Sequence, residues 1–172
     1  MLTPYYFYNI TKSSMTFDDV YDAISNFIQK DPTGSYCLAI GTDSHVHPRE
    51  TLFTTAIHIH RKGKGAWGCL RQYRVPRRIT SLHEKISIET TLSQQIAAMF
   101  TEKHIEQLEE IILPNIDKGA DFTYEIHLDI GSKGLTKDLI HEMTGRISAM
   151  GMEAKIKPES YAASSYANRY TK

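Results

Sequence analysis

Three strand-like runs follow one another with only short connections, and this order constrains the fold more than any other feature. Tyr36–Thr42 is an apolar run, Leu52–Arg61 alternates apolar and polar residues, and Ala66–Val75 ends before Pro76. Parallel neighbours need a crossover of a dozen or more residues, whereas antiparallel neighbours need only a short turn. The sequence therefore predicts an antiparallel meander.

Helical and strand patterns alternate after the meander. A helix begins at the capping residue Ser81, a strand covers Phe122–Ile130, and a short strand covers Met152–Lys157, with helical patterns between and after them. Strands linked by helices run parallel with right-handed crossovers. We therefore expect an α/β fold with a mixed five-stranded sheet flanked by helices. Residues 1–33 are expected to form a helical extension packed on the main domain, residues 34–172.

Three acidic residues fall where this fold places chemistry. Asp43 follows the first strand, Asp129 lies near the end of the fourth, and Glu89 falls on the apolar stripe of the helix between them. A buried carboxylate is costly unless it is paired or bound to a cation. Oxygen ligands suit Mg²⁺ or Mn²⁺ better than Zn²⁺. The pattern predicts that the three acids share a divalent metal site.

Each acid also has an ordinary structural interpretation. Asp43 is consistent with a turn cap, Glu89 with an ion pair to Lys85 one helical turn earlier, and Asp129 with a cap for the helix beyond Gly131. The shared-site interpretation rests on all three acids occurring together in this order of strands and helices.

Four motifs together resemble the YkuK family of ribonuclease H-like bacterial proteins. They are GTDSH (41–45), ETTLS (89–93), HLDIG (127–131) and KPESYAASS (157–165). The resemblance extends from about Gly34 to the C-terminus and implies a ribonuclease H-like domain, which agrees with the predicted order of strands.

The resemblance implies a metal-dependent nuclease that hydrolyses nucleic-acid phosphodiesters. Asp43 would bridge two Mg²⁺ or Mn²⁺ ions, Glu89 would hold one of them, and Asp129 would complete the set. Ribonuclease H-like enzymes usually add a fourth acid from the last helix, and the matching residue here is Asn168, whose amide carries no charge. A non-catalytic nucleic-acid-binding domain with a degenerate metal site is therefore the alternative.

Five further residues surround these positions. Ser44 and His45 are expected to contact the scissile phosphate or to orient the metal ligands. Ser164 and Ser165 lie about one helical turn before the amide that replaces the fourth acid and are expected to orient it. Gly41 lacks a Cβ, and this would let a cation or phosphate approach the backbone.

The basic residues are unevenly distributed, although the chain has no net charge. Thr51–His83 contains no Asp or Glu, and four of its arginines are expected to bind nucleic acid: Arg71, Arg74, Arg77 and Arg78. A solvated hairpin face is the competing interpretation. The pattern does not distinguish RNA, DNA or a hybrid as the partner.

A second alternative is a zinc-binding protein. His45-Val46-His47 and His58-Ile59-His60 are two HxH pairs, and each has the spacing to chelate Zn²⁺ from one face of a strand. Only Cys37 or Cys69 would be at hand to complete a tetrahedral set, and both lie inside apolar runs. A GSKG turn at 131–134 either binds phosphate through backbone N–H groups or is a plain turn.

The remaining features predict a cytoplasmic protein. No apolar stretch approaches the roughly 20 residues that cross a bilayer, and the first residues lack the layout of a signal peptide. Two cysteines inside apolar runs are typical of buried free thiols in a reducing compartment. No membrane contact is expected, and the oligomeric state stays open.

Overall fold

The computed structural model describes residues 5–131 and 136–171 and confirms the predicted α/β fold. The strands are β1 (Ser35–Val46), β2 (Thr51–Arg61), β3 (Ala66–Val75), β4 (Asp121–Leu128) and β5 (Glu153–Lys155). The helices are α1 (Phe17–Gln29), α2 (Leu82–Ala97), α3 (Glu102–Ile112), α4 (Lys137–Ser148) and α5 (Asn168–Thr171), with a 3₁₀ helix at Leu113–Lys118 and a π-helical segment at Ala162–Ala167. Most of the predicted GSKG turn lies outside the described residues.

The five strands form one mixed sheet in the order β3-β2-β1-β4-β5. The two hairpin pairs, β1 with β2 and β2 with β3, are antiparallel. The helix-linked pairs, β1 with β4 and β4 with β5, are parallel. The predicted meander and the predicted parallel alignment of the Asp43 and Asp129 strands are both confirmed.

Strand β1 is longer than predicted, and this changes the setting of Asp43. Pairing with β2 continues as far as Val46, whereas pairing with β4 stops at Thr42, which lies opposite Leu128. Asp43 therefore lies within β1, held extended by the hairpin, rather than after the strand. Asp129 is the first residue after β4, so both acids lie where the β1–β4 ladder ends.

Helix α1 and the sheet share one hydrophobic core. The helix begins at Thr16, whose side chain forms a reciprocal capping box with Asp19. Its buried face belongs to the same cluster as the apolar face of β1, and the members that meet are Val20, Ile24, Ile28, Tyr36, Leu38 and Ile40. The division into residues 1–33 and 34–172 stays a prediction. None of the helices in the described ranges is long and apolar enough to cross a membrane.

The opposite face of the sheet is covered by Ala162–Ala167 and α5, together called the C-terminal helical segment. A Cβ on Gly41 would lie 2.5 Å from the backbone nitrogen of Ala163. Further along, Ala167 packs with Ala56 and Leu70. The missing Cβ at Gly41, expected to admit a cation or phosphate, instead admits the backbone of this segment as it crosses the sheet.

Candidate active site

The structure brings the three predicted acids to one cavity of about 200 Å³. Asp43, Glu89 and Asp129 line it together with two lysines, Lys85 and Lys157. Its remaining walls are backbone and apolar side chains from Leu82, Ile86, Ile130 and Gly131. Three carboxyl groups from separate elements therefore face the same small space.

The parallel register of β1 and β4 explains why two of the acids meet. Thr42 lies opposite Leu128, so the next residues along the two strands, Asp43 and Asp129, are neighbours. Their side chains are close enough to share a hydrogen bond when one of them is protonated. The fold thus enforces a carboxyl–carboxyl contact that two ionised groups would resist.

Helix α2 supplies the third acid and is fixed to β1 by hydroxyl groups. The Thr42 hydroxyl lies 2.7 Å from that of Ser93 on α2 and 2.8 Å from that of Thr55 on β2. One turn before Ser93, Glu89 accepts a hydrogen bond from the Ser44 hydroxyl. The predicted orienting role of Ser44 thus has a structural counterpart, because this hydrogen bond holds the Glu89 carboxylate toward the cavity.

The acids are held in an environment that disfavours their charge. Burial, followed by the hydrogen bond and the charge of Asp129, raises the pKa of Asp43 to about 7. Burial also raises the pKa of Glu89 to about 8, an effect that the Ser44 hydrogen bond only partly offsets. Near neutral pH the cluster therefore retains protons when no cation is bound.

Two lysines that the sequence interpretation did not assign also belong to the site. The Lys157 ammonium lies 3.0 Å from Oδ1 of Asp129. That oxygen is buried and accepts no aligned hydrogen bond from a described residue, so Lys157 acts on it as a neighbouring charge. The positive charge of Lys85 partly offsets the rise in the pKa values of Asp43 and Glu89. The register of β4 with β5, which sets His127 beside Lys155, would have indicated Lys157.

The structure does not support the turn cap, the ion pair or the helix cap that were the ordinary interpretations of the three acids. Asp43 lies inside a strand and not at a turn. Glu89 accepts its hydrogen bond from Ser44, and no ion pair joins it to Lys85 among the described contacts. The cap of α4 is Thr136, not Asp129.

Four other predicted residues are not brought to this cavity by the described part of the structure. Asn168 begins α5, half-buried, and does not line the cavity. Ser164 donates its hydroxyl to a backbone carbonyl four residues earlier, and Ser165 is exposed. His45 is exposed, with its ring packed 4.5 Å from that of His47. Their roles at the metal site stay predictions.

Two of the four predicted arginines are engaged in ion pairs. Arg74 contacts Glu50 at 2.6 Å, and Arg77 forms two hydrogen bonds to Glu84 at 3.0 and 2.6 Å. Glu50 and Glu84 flank the acid-free segment on either side, and they neutralise part of its charge. Exposed pairs of this kind contribute little to stability, so a phosphate can compete for these arginines.

The other two arginines differ from each other. The Arg71 guanidinium lies 4.1 Å from the ring centroid of Tyr5, and its partial burial lowers its pKa. Arg78 is exposed and forms no ion pair with a described residue. Arg78 is therefore the member of the set most open to a phosphate.

The strand register excludes a zinc site built from both HxH pairs. His45 lies opposite Leu52, whereas His58 lies opposite Ala39. Positions 39 and 45 of β1 are about 20 Å apart at roughly 3.3 Å per residue. Strands β1 and β2 are neighbours, as expected, but the antiparallel hairpin sends the two pairs to different parts of the ladder.

A separate group of possible metal ligands lies under the C-terminal helical segment: Cys37, Glu125 and His127. Glu125 accepts a hydrogen bond from the Cys37 thiol at 3.2 Å and lies 2.8 Å from Nε2 of His127. The Ala162 N–H donates to Nδ1 of His127, so the ring proton lies on Nε2 and points at Glu125. Burial raises the pKa of Cys37 to about 11, which keeps the thiol protonated. The group is a closed hydrogen-bond network, and a metal would have to break it.

Comparisons with known proteins agree with this fold. A family model described as ribonuclease H-like matches residues 19–172. The uncharacterized protein YkuK of Bacillus subtilis (strain 168) is 57% identical over 172 residues, which is 100% of both chains. No solved structure shows a significant match. The matched residues include all three acids of the cavity, and the relative's name assigns it no activity.

Proposed function

Because the chain belongs to the YkuK family of ribonuclease H-like proteins, we propose that it is a divalent-metal-dependent nuclease that hydrolyses nucleic-acid phosphodiesters. Family membership supports a nuclease-like or nucleic-acid-binding domain. The observation that carries the finer proposal is the convergence of Asp43, Glu89 and Asp129 on one cavity. The cavity is lined by three carboxyl groups and only two lysines, so the lysines do not neutralise all three acids.

The residues present fit a divalent cation. Oδ1 of Asp129 is buried and accepts no aligned hydrogen bond from the described residues, which leaves a lone pair free for a ligand. The pKa values of Asp43 and Glu89 are raised, so a cation would replace protons that the cluster otherwise retains. A donor set made of carboxylate oxygens suits Mg²⁺ or Mn²⁺. We assign the three acids as the groups that would hold the ion.

The chain's own residues prepare the site for phosphodiester hydrolysis. A bound divalent cation supplies Lewis-acid activation of phosphate and water. Ser44 holds the carboxylate of Glu89 in place through its hydrogen bond. Lys157 is half-exposed, and its ammonium, which pairs with Asp129 at 3.0 Å, could also contact a non-bridging phosphate oxygen.

The proposed partner reaches the site along the basic segment. Arg78 is exposed, and Arg74 and Arg77 are held only by exposed ion pairs that a phosphate can replace. Each phosphate neutralised by an arginine makes binding more sensitive to salt. We therefore expect weak, salt-dependent binding of nucleic acid even where no cleavage occurs.

The alternative is a non-catalytic nucleic-acid-binding domain, and Asn168 favours it. An amide occupies the position where related folds carry a fourth acid, and it does not line the cavity. A site that lacks one charge binds cations more weakly. The two proposals share the binding surface and differ only in whether cleavage follows.

The test incubates wild type and Asp43→Asn with RNA, DNA and hybrid substrates in Mg²⁺ and in Mn²⁺. The nuclease proposal predicts slow cleavage of one substrate class by wild type and none by Asp43→Asn, which keeps the shape of the side chain and removes its charge. Equal cleavage by both proteins would point to a contaminating nuclease. Binding without cleavage by either protein would establish the non-catalytic alternative.

A further inference from the structure

Two adjoining cavities on the sheet form a second concave site, here called the aromatic groove. Their volumes are about 420 and 340 Å³, and they share His58 and Ala66 as lining residues. The larger cavity falls within the roughly 300–1,000 Å³ typical of small-ligand sites. The aromatic side chains that line the groove are Tyr8, His58, His60, Tyr161, Tyr166 and Tyr170.

The aromatic groove and the acid cavity lie on opposite sides of the C-terminal helical segment. His58 lies opposite Ala39, and Thr54 lies opposite Asp43, so both positions face the same side of the sheet. The backbone of the helical segment covers Gly41 between them. Four residues along a β-strand span about 13 Å. The groove is therefore separate from the acid cavity, but a single bound nucleic-acid strand could contact both.

The lining rings are packed at angles around His58. Its ring centroid lies 4.9 Å from that of Tyr166 and 5.5 Å from that of Tyr161, and Tyr166 lies 5.5 Å from Tyr170. Aromatic side chains grouped in a groove are the usual platform for unpaired bases, because every base presents a π-face. The groove therefore offers the surface that base stacking requires.

His58 also offers an unused polar group. Its Nδ1 is buried and has no hydrogen-bond partner among the described residues. Burial lowers the pKa of His58 to about 4, so the ring is neutral near pH 7 and each nitrogen can form one hydrogen bond. A buried polar atom without a partner is rare in folded proteins, and this one belongs to a residue that lines both cavities.

The charge around the groove favours an anionic ligand. No carboxylate lines either cavity in the described part of the chain. Lys12, Lys64 and Arg169 are exposed, and each is adjacent in sequence to a lining residue. Lys64 also lies 3.7 Å from Asp31, an exposed pair that a phosphate can replace. These three residues, here called the rim cations, stand next to lining residues in the chain.

We propose that the aromatic groove binds an unpaired base of a single-stranded nucleic acid while the rim cations contact the adjoining phosphates. The inference rests on the proposed function and deepens it, because it makes a single-stranded segment part of the substrate. On β1, the position opposite His58 lies about 13 Å from Asp43, a length of about four stacked nucleotides at roughly 3.4 Å each. A base in the groove would therefore hold a strand whose scissile phosphate lies a few nucleotides away.

The full chain is titrated with oligothymidylate in a chelator, so that no cleavage can occur, and binding is followed by the fluorescence anisotropy of a labelled strand. An abasic strand of the same length should bind about tenfold more weakly, the effect expected for one stacked base.

Two variants and one control locate the effect. Tyr170→Ala should bind the thymidine strand about tenfold more weakly and no longer distinguish it from the abasic strand. Gly68→Ala, whose new methyl would lie 2.7 Å from the Tyr166 hydroxyl, should displace that ring and act in the same direction if Tyr170→Ala fails to fold. Tyr6→Ala removes an exposed tyrosine that lines neither cavity and lies outside the basic segment, and it should change neither quantity.

Equal affinity of wild type for thymidine and abasic strands would overturn the proposal, as would a Tyr170→Ala variant that is folded and still distinguishes the two strands as wild type does. Failure of the nuclease proposal would give a different combination of binding and cleavage results. If groove variants cleave with unchanged affinity, the groove inference is wrong and the nuclease stands. If base-dependent binding persists while no protein cleaves, the groove stands and the nuclease proposal is wrong.

Discussion

Glu125 and Glu89 are both buried, but their surroundings shift the pKa values of the two carboxyl groups in opposite directions. Glu125 accepts hydrogen bonds from Cys37 and His127, and these lower its pKa. Glu89 has as little exposed surface, but burial and then the charges of Asp43 and Asp129 raise its pKa to about 8. Hydrogen-bond donors outweigh the effect of burial at Glu125, and the single donor Ser44 does not do so at Glu89.

The comparison separates a structural network from a site that requires a ligand. At Glu125 the hydrogen-bond donors match the carboxylate, and nothing further is needed. At the acid cavity, Asp43, Glu89 and Asp129 have more negative charge than Ser44 and the nearby lysines offset. A buried excess of charge costs stability unless protons or a cation compensate for it. The acid cavity is therefore the site at which we expect a metal and chemistry.

The largest expected difference between the two sites is in activity. Asp43→Asn should reduce metal-dependent cleavage to background, whereas Glu125→Gln should retain it wherever the variant is folded. The reason is that only Asp43 lies among the proposed ligands. Cleavage rates of the two purified variants, with folding checked by circular dichroism, provide the measurement. Loss of activity in a folded Glu125→Gln with activity kept in Asp43→Asn would reverse the assignment.

The next difference is the effect on stability of replacing each glutamate by glutamine, which should be opposite in sign at the two sites. Glu125→Gln replaces the charged oxygen that accepts from both Cys37 and His127 by a neutral amide oxygen, which is a weaker acceptor, and it should lower the free energy of unfolding by about 1–3 kcal/mol. Glu89→Gln removes a carboxyl group that must take up a proton on folding near neutral pH, and its amide oxygen can still accept from Ser44, so it should raise that free energy by about 1 kcal/mol without metal. Urea denaturation in a chelator measures both. Destabilisation by Glu89→Gln would show that the surrounding residues already satisfy its charge.

Much of the fold could be predicted from local patterns, but the partners at the two sites could not. Alternation and short connections indicate the meander, and strand ends indicate Asp43 and Asp129. The length of β1 was underestimated, because pairing with β2 keeps polar residues such as Asp43 and Ser44 in an extended strand. Lys157 was not assigned because its position depends on the register of a three-residue strand.

The pH dependence of stability sharpens the comparison. In the folded chain the pKa values of Asp43 and Glu89 are about 7 and 8, above their ordinary values of 3.8 and 4.5. Unfolding therefore releases protons between about pH 4 and about pH 8, and stability without metal should fall as pH rises through that window. Denaturation of wild type in a chelator measures the slope. Glu89→Gln should show a shallower slope, and an equal slope would contradict the raised pKa of Glu89.

The smallest expected effect concerns Asn168. If its amide approaches a bound cation in the active state, Asn168→Asp should lower the Mg²⁺ concentration needed for half-maximal cleavage by up to about tenfold, because an added charge favours the cation. Asn168→Ala is the matched control and should not lower it. A metal requirement that is the same in wild type, Asn168→Asp and Asn168→Ala would remove this residue from the proposed ligand set.

The claim that the three acids hold a divalent cation is tested most directly by crystals soaked in Mn²⁺, with anomalous scattering used to locate the ion. The predicted result is an anomalous peak between the carboxylates of Asp43, Glu89 and Asp129, absent in Asp43→Asn crystals soaked in the same way. No peak there in wild-type crystals at saturating Mn²⁺ would contradict the assignment, as would a peak only at Cys37, Glu125 and His127.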